Sequence, residues 1–167
     1  MKKAFLKLIC ISVMCLLFVQ SFPVVHASSD EAVMGSMYLV SQYTEQVSED
    51  LFIDFFVYED CVTSRGSVYQ KTGKKTAVGR NANGIATWTF SVTGVFTVTQ
   101  GAGAVCTSAV SSYEIYDSNW FFNGATCRTS GNQAIGNAEF IKKILSINMA
   151  TETCNVVLTC DANGNLS

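Results

Sequence analysis

The chain has 167 residues, a formal net charge of −2 at pH 7, seven cysteines, one histidine and one proline. An acidic balance argues against a nucleic-acid partner, because nucleic-acid binding depends on neutralising phosphates. The only imidazole, His26, lies in a segment that we expect to be removed. Ser-His-Asp and Cys-His nucleophiles are therefore excluded from the mature protein.

The first 27 residues have the layout of a secretory signal peptide. A lysine-rich start is followed by an apolar run, residues 8–19, and the segment ends in the small residue Ala27. That run is too short to cross a bilayer. We therefore expect residues 28–167 to be the mature protein, secreted and extracellular, with no integral membrane segment.

Residues 28–61 are predicted to be an N-terminal lead that contains one short helix at 48–60. Ser48 supplies a capping hydroxyl, and acidic residues follow it in what would be the first turn. Large apolar residues recur at spacings of three and four, which is typical of one helical face: Val47, Leu51, Phe55, Tyr58 and Val62. Further apolar residues on the other faces keep a buried strand as the alternative.

Residues 62–167 are predicted to form a single antiparallel β-sandwich domain. The clearest strand is 85–99, where aromatic residues and valines alternate with threonines and serines. Gly94 interrupts the apolar face of this strand, which indicates a bulge or the close approach of another strand. Turn signals such as Asn83-Gly84 separate about seven such runs, and this spacing is typical of an immunoglobulin-like sandwich.

Five cysteines remain after the predicted signal, namely Cys61, Cys106, Cys127, Cys154 and Cys160. Because the number is odd, at least one thiol is free or pairs with another chain. Cys154 and Cys160 lie at opposite ends of one predicted strand, roughly 20 Å apart. A disulfide needs Cα atoms within about 7 Å, so this pair is excluded. The other pairings stay open, including one in which Cys106 meets Cys160 across the core.

The sequence offers one candidate binding platform and no catalytic or metal-binding constellation. Trp120 and Phe122 would share one face of a strand and Phe121 the other, so one aromatic face would be exposed unless the core and the lead cover both. A glycan-cleaving site needs two facing carboxyl groups. The close pairs Glu59-Asp60 and Glu114/Asp117 do not present both carboxyls on one face of a strand. We predict no cofactor and no metal.

The second half of the chain, about residues 84–167, contains the motifs Trp88-x3-Val92-x-Gly94-x-Phe96, Cys106-Thr107-Ser108, Tyr116-Asp117-Ser118-Asn119-Trp120 and Leu158-Thr159-Cys160-x-Ala162-Asn163-Gly164-Asn165-Leu166-Ser167. These motifs resemble those of a group of small secreted β-rich proteins of Gram-positive bacteria to which no activity is assigned. The resemblance implies a β-rich body and a Cys106–Cys160 disulfide. It implies no catalytic residues, and it leaves the pairing of Cys61, Cys127 and Cys154 open.

Three functions are compatible with these features. The first is a non-enzymatic binding module for a surface polysaccharide or protein, which the export signal and the absence of catalytic residue types favour. The second is a structural, disulfide-linked component of the cell exterior, which the odd number of cysteines suggests. The third is a carboxylate-dependent glycan-active enzyme.

Overall fold

The structure is a computed structural model that describes residues 37–60 and 66–167, all of which belong to one compact unit, Met34–Ser167. The predicted signal peptide, the first part of the predicted lead and Cys61 lie outside the described residues. The described chain is mainly β and contains no helix. Its eight strands are β1 (Met37–Ser48), β2 (Leu51–Asp60), β3 (Val68–Asn81), β4 (Ala86–Thr99), β5 (Gly103–Ile115), β6 (Trp120–Ser130), β7 (Gln133–Ile144) and β8 (Ile147–Thr159).

The strands form two antiparallel sheets, and within each sheet every strand pairs with the strands that precede and follow it in the sequence. The five-stranded sheet has the order β1-β2-β3-β4-β5 and the three-stranded sheet the order β6-β7-β8. The two-sheet antiparallel architecture is confirmed, with eight strands rather than about seven. The immunoglobulin-like topology is wrong, because that fold needs Greek-key connections. Tight turns such as Gly131-Asn132 instead join strands that pair directly.

The predicted helix at 48–60 is also wrong, because these residues form the β1–β2 turn and strand β2. Leu51, Ile53, Phe55 and Val57 are buried, and the residues between them are half-buried. The helix prediction failed because Leu51 and Phe55 are four residues apart, a spacing that fits both a helical face and one face of a strand. Pairing with β1 on one side and β3 on the other satisfies the backbone of this segment as a strand.

The core lies between the two sheets and depends on close approaches at small residues. The strand predicted at 85–99 is confirmed as β4, and a Cβ atom at its Gly94 would lie 2.9 Å from the Cβ atom of Ala134 on β7. The predicted close approach of another strand is therefore present. Trp88 of β4 stacks on Phe140 of β7, with ring centroids 4.2 Å apart.

The five-stranded sheet has an inner face, which packs on the three-stranded sheet through β3, β4 and β5, and an outer face on its other side. Trp88, Phe90 and Val92 mark the inner face of β4, so Thr89 and Ser91 between them lie on the outer face. The candidate site lies mainly on the outer face. The described chain contains no helix of the length and apolarity needed to cross a membrane.

Candidate functional site

The predicted aromatic platform is not a continuous exposed surface. Trp120 is only 6% exposed and makes an edge contact with Trp88, and Phe122 stacks on Tyr113 with ring centroids 3.7 Å apart. Both side chains face the other sheet, because alternate residues of β6 point into the core. Phe121 alone is exposed, at 45%. The platform prediction is therefore corrected to one exposed ring.

The predicted disulfide partners lie beside the same turn. The Cys106 N–H donates to the carbonyl of Gly131 at 2.8 Å, and the Cys160 N–H donates to the carbonyl of Asn132 at 3.0 Å. Both side chains are thiols in the structure, so the Cys106–Cys160 bridge stays a prediction. Burial raises the pKa of Cys106, and it raises the pKa of Cys160 to about 11. Thiols with raised pKa values are weak nucleophiles at neutral pH.

A groove of about 460 Å³ lies mainly on the outer face of the five-stranded sheet. The antiparallel register brings its side chains together, since it pairs Tyr58 with Lys74 and Thr89 with Glu114 across neighbouring strands. The strand order therefore joins residues that are far apart in the sequence. The residues that line the groove are Met37, Tyr58, Lys74, Thr76, Thr89, Ser91, Ser112, Tyr113, Glu114 and Tyr116.

Most of the side chains that line the groove carry a hydroxyl group. Thr76 Oγ1 and Ser91 Oγ are 2.9 Å apart and hydrogen-bonded. At the β5 side, the Tyr116 hydroxyl donates to Glu114 Oε2 at 2.5 Å. The hydrogen bond to Glu114 and partial burial raise the pKa of Tyr116, so its hydroxyl stays protonated at neutral pH. Tyr116 is 56% exposed, which leaves its ring open to a ligand.

The charged groups of the groove are few and of opposite sign. Lys74 supplies one ammonium group, and Glu114 supplies the one carboxyl group among the described lining residues. Asp117 instead accepts hydrogen bonds from the backbone and side chain of Asn119 within the β5–β6 connection. Glu59 is buried on the inner face and Asp60 lies on the outer one. Neither predicted carboxyl pair is therefore gathered in the groove.

Sequence reasoning missed this groove because it depends on strand order and register. The alternation in 85–99 predicts a polar face that carries Thr89 and Ser91, and the structure confirms that face. Tyr58 was not predicted to lie on a sheet face, because residues 48–60 were predicted to form a helix. The one signal that could have found the groove is the matching polar alternation of Lys74 and Thr76 in the neighbouring strand.

Comparisons of the chain with models of protein families, with curated proteins and with solved structures find no match. The fold and the groove define the protein as a two-sheet antiparallel β protein with an open polar and aromatic groove on its larger sheet.

Proposed function

We propose that the protein is a secreted, non-enzymatic binding module that holds a glycan of the cell exterior in the outer-face groove. The observation that carries the proposal is the combination of tyrosine side chains with a dense set of hydroxyl groups in one open groove. Sugars present apolar ring faces and hydroxyl rims. Aromatic rings with polar tips and hydroxyl side chains complement both.

The dimensions of the groove support a chain-like ligand. Tyr58 lies on β2 and Glu114 on β5, so three inter-strand spacings, roughly 14 Å, separate the two sides. The groove crosses the strands and is open along its length rather than closed over one small molecule. We therefore propose a polysaccharide or oligosaccharide segment as the ligand.

The charge of the groove supports a ligand that is close to neutral. Lys74 and Glu114 are single charges of opposite sign. Nearby on the same face, Arg80 is neutralised by Asp54 in an ion pair of 2.5 Å. A polyanion would need an uncompensated basic surface. The groove instead matches hydroxyl-rich ligands that exchange hydrogen bonds with Thr76, Thr89 and Ser112, whereas the buried Ser91 hydrogen-bonds to Thr76.

We also propose that the protein is exported and that it carries one disulfide. The signal-like N-terminus and the resemblance to small secreted proteins of Gram-positive bacteria support an extracellular location, where disulfides persist. We include the Cys106–Cys160 bridge, because the backbone N–H groups of the two residues donate to the consecutive carbonyls of Gly131 and Asn132. The bridge would tie β5 to the end of β8.

A glycan-array and polysaccharide pull-down experiment tests the proposal. We expect wild-type protein to bind at least one glycan class, and Tyr116→Ala to bind it about tenfold more weakly, since one exposed ring is lost. Phe121→Ala is the matched control, because it removes an exposed ring outside the groove and should bind as wild type does.

Two results would overturn the proposal. One is wild-type protein that binds no glycan or polysaccharide. The other is Tyr116→Ala protein that is folded by circular dichroism and binds as tightly as wild type. Release of new reducing ends from a bound polysaccharide, abolished in Glu114→Gln, would instead show the carboxylate-dependent enzyme.

A further inference from the structure

The turn between β7 and β8 projects an apolar surface, residues 144–149, called here the β7–β8 tip. Leu145 is 91% exposed, and Ile147 and Met149 are 65% and 59% exposed. Single exposed apolar residues are ordinary, but a cluster at the end of one hairpin marks an interaction site. The tip shares no lining residue with the outer-face groove.

The backbone conformation of the tip makes a leucine at position 145 unusual. Leu145 has φ 50° and Ser146 has φ 67°, so both central residues of the turn are in the left-handed region. Two-residue hairpins of this kind favour Asn-Gly, because bulky residues fit this region poorly. Neither turn geometry nor core packing therefore accounts for a leucine at this position.

Basic and polar groups border the tip on one side. A hollow of about 330 Å³ is lined by Ser118, Asn119, Phe121, Lys143, Leu145 and Ser146. Lys143 Nζ lies 4.9 Å from the centre of the exposed Phe121 ring. Between Phe140 and Thr151 the sequence has two lysines and no acid, in a chain that is acidic as a whole. The adjoining β5–β6 connection contains one acidic residue, Asp117, and this carboxylate already accepts hydrogen bonds from Asn119.

We propose that the β7–β8 tip docks on the surface of an anionic lipid bilayer. Leu145 and Ile147 would enter the boundary between headgroups and acyl chains, where exposed apolar side chains gain by leaving water. Lys143 would lie beside a lipid phosphate at the hollow, with the hydroxyls of Ser118 and Ser146 as further donors. A bilayer fits because it offers apolar and anionic contacts in adjacent layers, in the same arrangement as Leu145 and Lys143.

Vesicle co-sedimentation tests this proposal on the full chain. The probes are vesicles of phosphatidylcholine alone and vesicles of equal parts phosphatidylcholine and phosphatidylglycerol. Wild-type protein should prefer the anionic vesicles, and Lys143→Gln should lose much of that preference. Leu145→Asn/Ser146→Gly should bind anionic vesicles about tenfold more weakly, since the main apolar contact is lost.

The double variant also separates binding from folding. Asn-Gly suits the turn better than Leu-Ser, so this variant should unfold at the same temperature as wild type or higher. Ile85→Asn is the matched control, since it removes an apolar side chain that is 62% exposed in the β3–β4 turn and should not alter binding. Residues 1–36 are identical in all variants, so a difference in binding between variants comes from the substituted side chains.

The proposal is overturned if wild-type protein binds neither kind of vesicle, which would leave a protein partner for the tip. It is equally overturned if Leu145→Asn/Ser146→Gly binds anionic vesicles as tightly as wild type. Glycan binding by the outer-face groove should be the same in all these variants, so failure here is distinguishable from failure of the proposed function.

Discussion

Gly79 is the position where β3 passes closest to the largest side chain of the core. A Cβ atom there would lie 2.3 Å from Cε2 of Trp88, which is itself stacked on Phe140. Because the indole is held from its other side, it cannot move away without disturbing both sheets. We expect Gly79→Ala to lower the free energy of unfolding by about 2 kcal/mol, the cost of overpacking a filled core, as measured by urea denaturation.

Gly66 provides the matched control for this prediction at the residue scale. A Cβ atom at Gly66 would meet its nearest neighbour, the carbonyl oxygen of Val68, at an ordinary 3.4 Å. Gly66→Ala should therefore change the free energy of unfolding by less than about 0.5 kcal/mol. If both variants were equally stable, the close packing of Trp88 on Gly79 would be contradicted.

At the scale of elements, strands β1, β2 and β3 are joined by a buried ionic contact. Lys71 Nζ lies 2.6 Å from Glu59 Oε2, and both side chains are largely removed from water. The Tyr38 hydroxyl of β1 also donates to Glu59 Oε1. Lys71→Met would leave the Glu59 carboxylate buried without its cation. We expect the free energy of unfolding to fall by about 3 kcal/mol.

A double-mutant cycle with Glu59→Gln checks the origin of that loss. The double variant should lose less than the sum of the two single variants, because removing both charges leaves none uncompensated. The ion pair of Arg80 with Asp54 is the comparison, since its side chains are 34% and 19% exposed. Arg80→Met should cost about 1 kcal/mol or less. Equal losses for the two pairs would show that burial of Glu59 is unimportant.

The same elements show what local sequence can and cannot predict. The strict alternation of apolar and polar residues around Trp88 and Phe96 predicts β4 almost to its ends, because it fits the strand period of two and does not fit the helical period. In β2, Leu51 and Phe55 fit both periods, and only pairing with β1 and β3 decides between them. The groove is harder still. Tyr58 and Glu114 line the same groove only because β2, β3, β4 and β5 pair in one particular register, and the pattern of a single strand does not contain that register.

At the scale of the whole molecule, the meander topology concentrates the thiols in or next to the core. Burial raises the pKa of all four described cysteines, Cys106, Cys127, Cys154 and Cys160. For Cys154 the pKa rises from 9.0 to about 12, through burial and then the charge of Glu45. The folded state therefore holds these protons at pH values where the unfolded chain has released them.

Because the folded and unfolded states bind different numbers of protons, the stability of the protein falls in alkali. Above about pH 9 the unfolded chain binds fewer protons than the folded one, so the free energy of unfolding falls as pH rises, by up to about 1.4 kcal/mol per pH unit for each thiol. Burial raises the pKa of Tyr43, which acts in the same direction. Burial lowers the pKa of Lys75, which acts in the opposite one.

The thiol contribution can be isolated by removing Cys154, whose pKa is raised to about 12 by burial. Urea denaturation of reduced protein from neutral pH to about pH 10 should show a shallower alkaline decline for Cys154→Ala than for wild type. Cys154→Ala should start from a lower stability at neutral pH, because it leaves a small cavity, so the two curves should converge as pH rises. Lys75 titrates in both proteins and does not affect the difference, whereas Tyr43, whose pKa is raised in part by the Cys154 charge, adds to it in the same direction. Parallel curves would mean that Cys154 does not carry its proton into the core.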